Sequence, residues 1–248
     1  MNETIKLPGT PAMTLVDQLR VARHQGNGSD AVIQLLAGDL AALPAEHAVD
    51  ALVVSAFPDS YTPDPGTLFE SLNARGLDMR KVALRMAEDE RRHLGCWLSE
   101  PLAQQQAAEF HFKRVICFEP AYPDFVSNSL FGQGSVEDAV GFVFRCLNHF
   151  VIPDPNNDGR HFEISSIAMP LLATGNQRVP LTALFPKLLE AAIFWLEQGL
   201  PVEQLKIVAF RPEDLSVARR LFEEVKSSHS ERVAAKLRHA PRAPDGEG

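Results

Sequence analysis

The stretch ISSIAMPLLATGNQRVP, residues 164–180, contains the transition that decides the fold. An apolar run of strand length, residues 164–169, is followed by small and polar residues, and a long amphipathic segment begins near Leu181. A strand, a glycine-bearing loop and a helix in this order are typical of α/β proteins. The question for function is therefore what the loop between this strand and this helix does.

Similar apolar runs alternate with helical patterns along the rest of the chain. The predicted strands are residues 32–36, 51–56, 112–118, 164–169 and 204–210, and the predicted helices are residues 67–74, 78–92, 136–150, 181–198 and 213–226. Continuous apolar strands are typical of strands that are buried on both faces, and their alternation with helices indicates parallel pairing. The predicted fold class is α/β, a three-layer α/β/α sandwich with a mixed, largely parallel central sheet.

The same patterns divide the chain into three parts. Residues 30–226 are predicted to form one domain, and residues 1–29 an N-terminal extension. Residues 227–248 are predicted to form a C-terminal tail that is partly disordered, because its end is rich in proline, glycine and charge. The basic middle of this tail is a candidate docking segment for a protein partner. The charged run 88–92 is interpreted as the solvated face of a helix.

Composition excludes several classes of partner and location. The chain has 248 residues, 45% of them hydrophobic, and a net charge of −8. Excess negative charge argues against binding to nucleic acid or to an anionic membrane. Cys96, Cys117 and Cys146 lie far apart, which indicates buried thiols in a reducing compartment. No signal-peptide pattern and no apolar run of about 18 residues is present. We therefore expect a cytoplasmic protein whose partner is a small molecule.

Catalytic and metal-binding motifs are not evident. The histidines lack metal-ligand spacing, so no metal site and no cofactor is predicted. No nucleophile motif of the GxSxG kind occurs, and the catalytic residues stay unknown. Asp59 and Asp64 lie near the expected mouth of a pocket and are two candidates for a general base, and nothing in the sequence favours one over the other.

Three segments with unusual chemistry follow predicted strands. They are Gly38 and Asp39, then Ser55 to Pro58, and then Ala173, Thr174, Gly175, Asn176 and Gln177. In a parallel sheet, ligands bind outside the carboxyl ends of the strands. Backbone N–H groups of a glycine-bearing loop before a helix can cradle an anion such as a diphosphate. A tight turn into the helix explains the third segment equally well, since neither GK[ST] nor GxGxxG occurs there.

The order of these motifs resembles the macro domain, the ADP-ribose-binding family. GDL at residues 38–40, VDALVVSA at residues 49–56 and SIAMPLLATGNQRVP at residues 166–180 occur in the order found in that family. The resemblance covers roughly residues 30–225 and identifies the chain as a diverged member. It implies a macro-like fold that binds ADP-ribose or a related NAD-derived nucleotide.

The resemblance assigns ligand-binding roles to particular residues. Asp39 matches the aspartate that accepts a hydrogen bond from the adenine amino group, which suits an acceptor-only carboxylate; its alternative role is that of a turn or N-cap residue. Phe57 and Phe210 are candidates for stacking on a base or ribose, and core packing is the more common role of such residues. The full set implied to bind the ligand is Gly38, Asp39, Leu40, Ser55, Ala56, Phe57, Ala173, Thr174, Gly175, Asn176, Gln177 and Phe210.

The sequence also departs from the family pattern. The family motif NAAN is replaced by residues 55–58, SAFP, so both asparagines are absent. Residues 61–67 contain one glycine and two prolines where the family often has three glycines, which leaves fewer backbone donors for a phosphate. The resemblance therefore favours a reader or sensor of ADP-ribose. The alternatives are a hydrolase that removes ADP-ribose from a conjugate and a ligand-free scaffold or interaction protein.

Overall fold

A single eight-stranded sheet forms the centre of the part of the chain that the computed structural model describes, residues 12–24, 29–119, 136–152, 162–172 and 180–239. The strands are β1 (Thr14–Val21), β2 (Ala31–Ala37), β3 (Val49–Ser55), β4 (Met86–Asp89), β5 (Cys96–Ser99), β6 (Phe112–Phe118), β7 (Ser166–Pro170) and β8 (Gln204–Ala209). Their spatial order is β1-β2-β8-β7-β3-β6-β5-β4. The five central strands are parallel, and antiparallel strands complete both edges. The predicted mixed, largely parallel sheet is confirmed.

Helices cover both faces of this sheet. They are α1 (Leu68–Ala74), α2 (Met79–Ala83), α3 (Arg91–Leu94), α4 (Gln104–Phe110), α5 (Val136–Val151), α6 (Leu181–Glu197) and α7 (Pro212–His239). Side chains alternate along a strand, and in β3 Ala51 and Val53 pack in the cluster that includes α5, α6 and α7. Leu52 and Val54 pack in the opposite cluster with α1, α2 and α4. The predicted three-layer arrangement is therefore confirmed.

The charged segment 78–92 differs from its prediction. Instead of one helix, α2 ends at Ala83, the edge strand β4 follows, and α3 is a single turn. β4 pairs antiparallel with β5, whose four residues are all buried. Helix propensity is a weak preference that tertiary pairing overrides. The prediction of a helix, and of a solvated helix face at residues 88–92, is therefore wrong.

The sheet and the last helix both extend beyond the central domain predicted from sequence. β1 lies within the expected extension 1–29 and pairs with β2 through residues 14–21. α7 crosses residue 226 without interruption and ends at His239, and residues 240–248 lie outside the described residues. None of the described helices is both long and apolar enough to cross a membrane.

Asp50 ties two central strands together at the amino-terminal edge of the sheet. Its carboxylate accepts hydrogen bonds from the backbone and side chain of Ser165 at 3.0 Å each. It accepts from the backbone of Ser166 at 3.0 Å and from its hydroxyl at 2.8 Å, and from Lys113 Nζ at 2.7 Å. Burial alone would raise the pKa of Asp50, and these hydrogen bonds outweigh it and lower the pKa to about 2.

Candidate functional site

A cleft of about 460 Å³ opens at the carboxyl ends of β2, β3, β7 and β8. Small-molecule sites typically have volumes of roughly 300 to 1,000 Å³ and occupy this edge of an α/β sheet. Seven of the residues predicted to bind a ligand line this cleft: Gly38, Asp39, Leu40, Ser55, Ala56, Phe57 and Phe210. The other five, Ala173, Thr174, Gly175, Asn176 and Gln177, lie outside the described residues. Gly38 and Phe210, which are 172 positions apart in sequence, thus converge at one site, as the parallel topology predicts.

Gly38 lies where the chain leaves β2 and passes close to another backbone segment. Its N–H donates to the Ala209 carbonyl at 3.0 Å, which holds the end of β2 against β8. A Cβ at this position would be 2.9 Å from Met13 Cα, closer than such atoms approach. The φ of +155° is also one that other residues rarely adopt. Glycine is therefore required at this position by packing, independently of any ligand.

Asp39 has a structural role that leaves part of its carboxylate free. Oδ1 accepts a hydrogen bond from the Ala41 N–H at 2.9 Å and so caps the 3-10 turn Leu40–Ala42. Oδ2 has no hydrogen-bond partner among the described residues. The side chain is partly exposed and lines the cleft. Capping and ligand binding are therefore compatible, since one oxygen performs the first and the other is available for the second.

Phe57 and Phe210 are exposed in the cleft rather than packed in the core. Their exposed fractions are 43% and 56%, whereas Phe118, the last residue of β6, is 1% exposed. Phe57 follows β3, and Phe210 follows β8. Core packing, the role that sequence alone favours for them, is excluded by this exposure. Two aromatic surfaces at the mouth of one cleft are suited to stacking on a planar ring.

The proline-containing loop after β3 forms one wall of the cleft. Thr67 donates its hydroxyl hydrogen to the Asp64 carbonyl at 2.6 Å and accepts from the Glu70 N–H at 3.2 Å, so it caps α1. Glu70 Oε2 accepts from the Gly66 N–H at 2.6 Å. The one glycine N–H of this loop is therefore already bonded within the protein. The loop contributes side chains such as Thr62 and Asp64 to the cleft.

A buried carboxylate fixes the turn that leads into this loop. Glu119 is fully buried and accepts hydrogen bonds from the Tyr61 hydroxyl, the Trp97 indole N–H and, at 3.0 Å, the Asp59 N–H. Arg91 Nη1 lies 4.0 Å from Glu119 Oε2 and 2.6 Å from Asp59 Oδ1. Burial and, after it, the hydrogen bond to Glu119 raise the pKa of Tyr61. This charged network thus joins the loop to strands β5 and β6 of the sheet.

This network was not predicted from the sequence. The sequence contains one signal for it, a glutamate that directly follows the apolar run of β6. Burying a carboxylate without partners costs free energy, so such a glutamate indicates a polar network. The network also changes the interpretation of the two aspartates proposed as general bases. Asp64 lines the cleft, whereas Asp59 is paired with Arg91 and does not line it.

The three cysteines do not contribute to the cleft. Cys96, Cys117 and Cys146 are buried, unpaired thiols, as predicted. Burial raises the pKa of Cys96 and of Cys117, which disfavours the nucleophilic thiolate.

Comparisons with known proteins identify the fold. No family model matches the chain, and no curated protein matches it in sequence. Among solved structures, the macrodomain of Oceanobacillus iheyensis with ADP is 16% identical, with a TM-score of 0.56 over 88% of this chain and 100% of that one. The Trypanosoma brucei macrodomain in complex with ADP-ribose is 15% identical, with a TM-score of 0.50 over 76% of this chain and 68% of that one. The chain has the macrodomain fold, and the predicted resemblance is confirmed at that level.

Proposed function

We propose that this macrodomain-fold protein binds ADP-ribose or a related NAD-derived nucleotide in the cleft, as a reader or sensor. The observation that carries the proposal is the pairing of an acceptor with aromatic surfaces. Asp39 presents one unbonded carboxylate oxygen to the cleft, and Phe57 and Phe210 expose their rings in it. An adenine has an amino group that suits the first and a planar ring that suits the second.

Two solved structures of this fold support the choice of ligand. The Oceanobacillus macrodomain was solved with ADP and the Trypanosoma one with ADP-ribose. ADP and ADP-ribose share an adenine, a ribose and a diphosphate, and the shared adenine is the part that suits the acceptor and the aromatic rings of this cleft. The predicted phosphate loop, residues 173–177, is part of this proposal.

Binding is favoured over hydrolysis for a reason that lies in the cleft wall. Ser55 and Pro58 stand where the resemblance would place asparagines. The Gly66 N–H, a backbone donor in the neighbouring loop, is taken by Glu70 at 2.6 Å. Removal of ADP-ribose needs a group that positions a water molecule. Neither the residues at positions 55 and 58 nor the Gly66 N–H is suited to hold that water.

Location and partners complete the proposal. Three unpaired cysteines suit a reducing compartment, so we propose that the protein acts in the cytoplasm. The segment from residue 227 onward, which continues α7 to His239, is proposed as a docking segment for a protein partner.

Calorimetric titration of the full chain with ADP-ribose, ADP and ribose 5-phosphate tests the ligand. We expect the two adenine-containing ligands to bind with micromolar affinity, about −8 kcal/mol, and ribose 5-phosphate to bind far more weakly. Absence of ADP-ribose binding up to millimolar concentration would contradict the proposal.

Asp39→Asn tests the role of the free oxygen without removing the cap. The amide keeps one oxygen for the Ala41 N–H but presents an NH₂ donor where the adenine amino group would donate. We expect about a tenfold loss of ADP-ribose affinity, roughly 1.4 kcal/mol, at unchanged thermal stability. The matched control is Asp78→Asn, since Asp78 caps α2 through the Arg80 N–H at 3.1 Å and does not line the cleft. A loss of affinity in the control alone would place the ligand elsewhere.

A further inference from the structure

Three side chains with metal-binding atoms meet where the edge strand β4 passes the end of α5. Glu88 lies in β4, Glu90 directly follows it, and His149 lies in the last turn of α5. His149 Nε2 is 2.7 Å from Glu88 Oε1 and 3.9 Å from Glu90 Oε1. One ligand atom of each residue lies within 4.8 Å of the others. None of the three lines the cleft described above.

Strand geometry explains why the two glutamates face the same helix. Side chains alternate along an extended chain, so residues 88 and 90 share one side. Asp89 points to the other side, where both of its oxygens accept from Arg91 at 2.8 and 2.7 Å. The Glu90 N–H donates to the Cys96 carbonyl at 2.9 Å, which continues the pairing of this hairpin past the end of β4. In a helix, residues 88 and 90 would point in nearly opposite directions.

The negative charge of Glu88 and Glu90 is only partly compensated by basic side chains of the described residues. Among the described residues, His149 is the only basic group within 4.0 Å of either Glu88 or Glu90. Other partly buried carboxylates of the protein, such as Asp50 and Asp17, are paired with a lysine. Two carboxylates against one imidazole therefore leave a net negative charge even when the imidazole is protonated. A divalent cation would neutralise it.

We propose that Glu88, Glu90 and His149 bind a divalent transition-metal cation. Two carboxylate oxygens and one imidazole nitrogen suit Mn²⁺, Fe²⁺, Co²⁺ or Zn²⁺. Bonds of about 2.0 to 2.2 Å place neighbouring ligand atoms roughly 3 to 3.5 Å apart, which small rotations of these side chains provide. The side chains are 18%, 24% and 28% exposed, so solvent water has access to the remaining coordination positions. The cation would join the edge strand to α5.

The test is calorimetric titration of the chelator-treated full chain with Mn²⁺ and Co²⁺. Mn²⁺ distinguishes this site from the buried thiols, because thiolates favour softer metals. We expect one cation per chain, and a loss of affinity of roughly tenfold or more in each of Glu88→Gln, Glu90→Gln and His149→Gln. The matched controls are His93→Gln and Glu109→Gln, which change exposed residues of the same two types and should bind as the parent does.

A second measurement keeps the proposal testable if a variant fails to fold. Binding to the native state alone raises the thermal unfolding temperature, so Mn²⁺ should stabilise the parent chain and both controls. Parent protein that takes up no Mn²⁺ or Co²⁺ and shows no such stabilisation would overturn the proposal. Equal binding by the parent and by all three variants would also overturn it. The cluster would then be only a hydrogen-bonded pair of His149 and Glu88 beside a second glutamate.

Discussion

At the scale of single residues, the two carboxylate oxygens of Asp39 have different roles, one structural and one in ligand binding. Oδ1 stabilises the turn after β2, and Oδ2 is left for a donor in the cleft. Gly38 beside it serves the backbone, because any larger residue would collide with Met13. A glycine–aspartate pair after a strand therefore has a structural explanation and a functional one at the same time.

The exposed phenylalanines give a prediction with a close control. Phe210→Ala should weaken ADP-ribose binding by about 1 to 2 kcal/mol if its ring stacks on the ligand. Phe194→Ala, on α6, removes a ring of similar exposure, 54% against 56%, that lies outside the cleft. Competition binding of both variants against a fluorescent ADP-ribose analogue is the measurement. Equal affinities in the two variants would show that Phe210 does not stack.

Whether a residue near the site could be predicted from sequence depends on its partners. Roles set by neighbours in sequence could be predicted, and roles set by neighbours in space could not. Gly38, Asp39 and Phe57 could be predicted because they directly follow strands, and strand ends meet at one edge. Glu119 could not be placed in its network, since its hydrogen-bond partners come from two segments distant in sequence, the loop after β3 and strand β5. The cluster of Glu88, Glu90 and His149 could not be predicted for the same reason. His149 is far from the two glutamates in sequence, so the spacing of histidines along the chain does not indicate the cluster.

At the scale of elements, continuous apolar runs predicted strands correctly, whereas the pattern of charged residues did not predict secondary structure. β3 and β6 were predicted because each contains an unbroken run of buried apolar residues, residues 51–54 and residues 115–118. β4 was missed because its sequence, MAED, is suited to a helix, and only pairing with the buried β5 makes it a strand. β1 was missed because four of its eight residues, at positions 14, 17, 18 and 20, are polar or charged.

The tie between β3 and β7 predicts a pH-dependent stability. The pKa of Asp50 is lowered to about 2 in the folded chain, and its side chain is only 13% exposed. A depressed pKa stabilises the fold above the unfolded-state pKa of about 4, and this contribution, about 2 kcal/mol, is lost as the pH falls towards 2. Asp50→Asn should therefore lower the free energy of unfolding at neutral pH.

Urea unfolding of the parent and of Asp50→Asn between pH 6 and pH 3 is the measurement. The difference in unfolding free energy should shrink as the pH falls below about 4, since only the parent has this carboxylate to lose. Asp30→Asn changes an exposed aspartate and serves as the control. A difference that stays constant over this range would show that Asp50 is not the titrating group.

At the scale of the whole molecule, the parallel topology collects four strand ends around one cleft. A second cavity of about 310 Å³ lies elsewhere, lined by residues that include Lys81, Arg85 and Glu100. Its two basic side chains make it a competing site for an anionic ligand, although Arg85 is already paired with Glu100 at 2.7 Å. The location of bound ligand therefore shows which of the two cavities is the binding site.

A crystal structure of the full chain with ADP-ribose tests the central claim most directly. We predict electron density for the adenine beside Asp39, its amino group within hydrogen-bond distance of Oδ2, and density for the diphosphate in the same cleft. Density in the cavity lined by Lys81 and Arg85, or an empty cleft at ligand concentrations that saturate the protein in solution, would contradict the account.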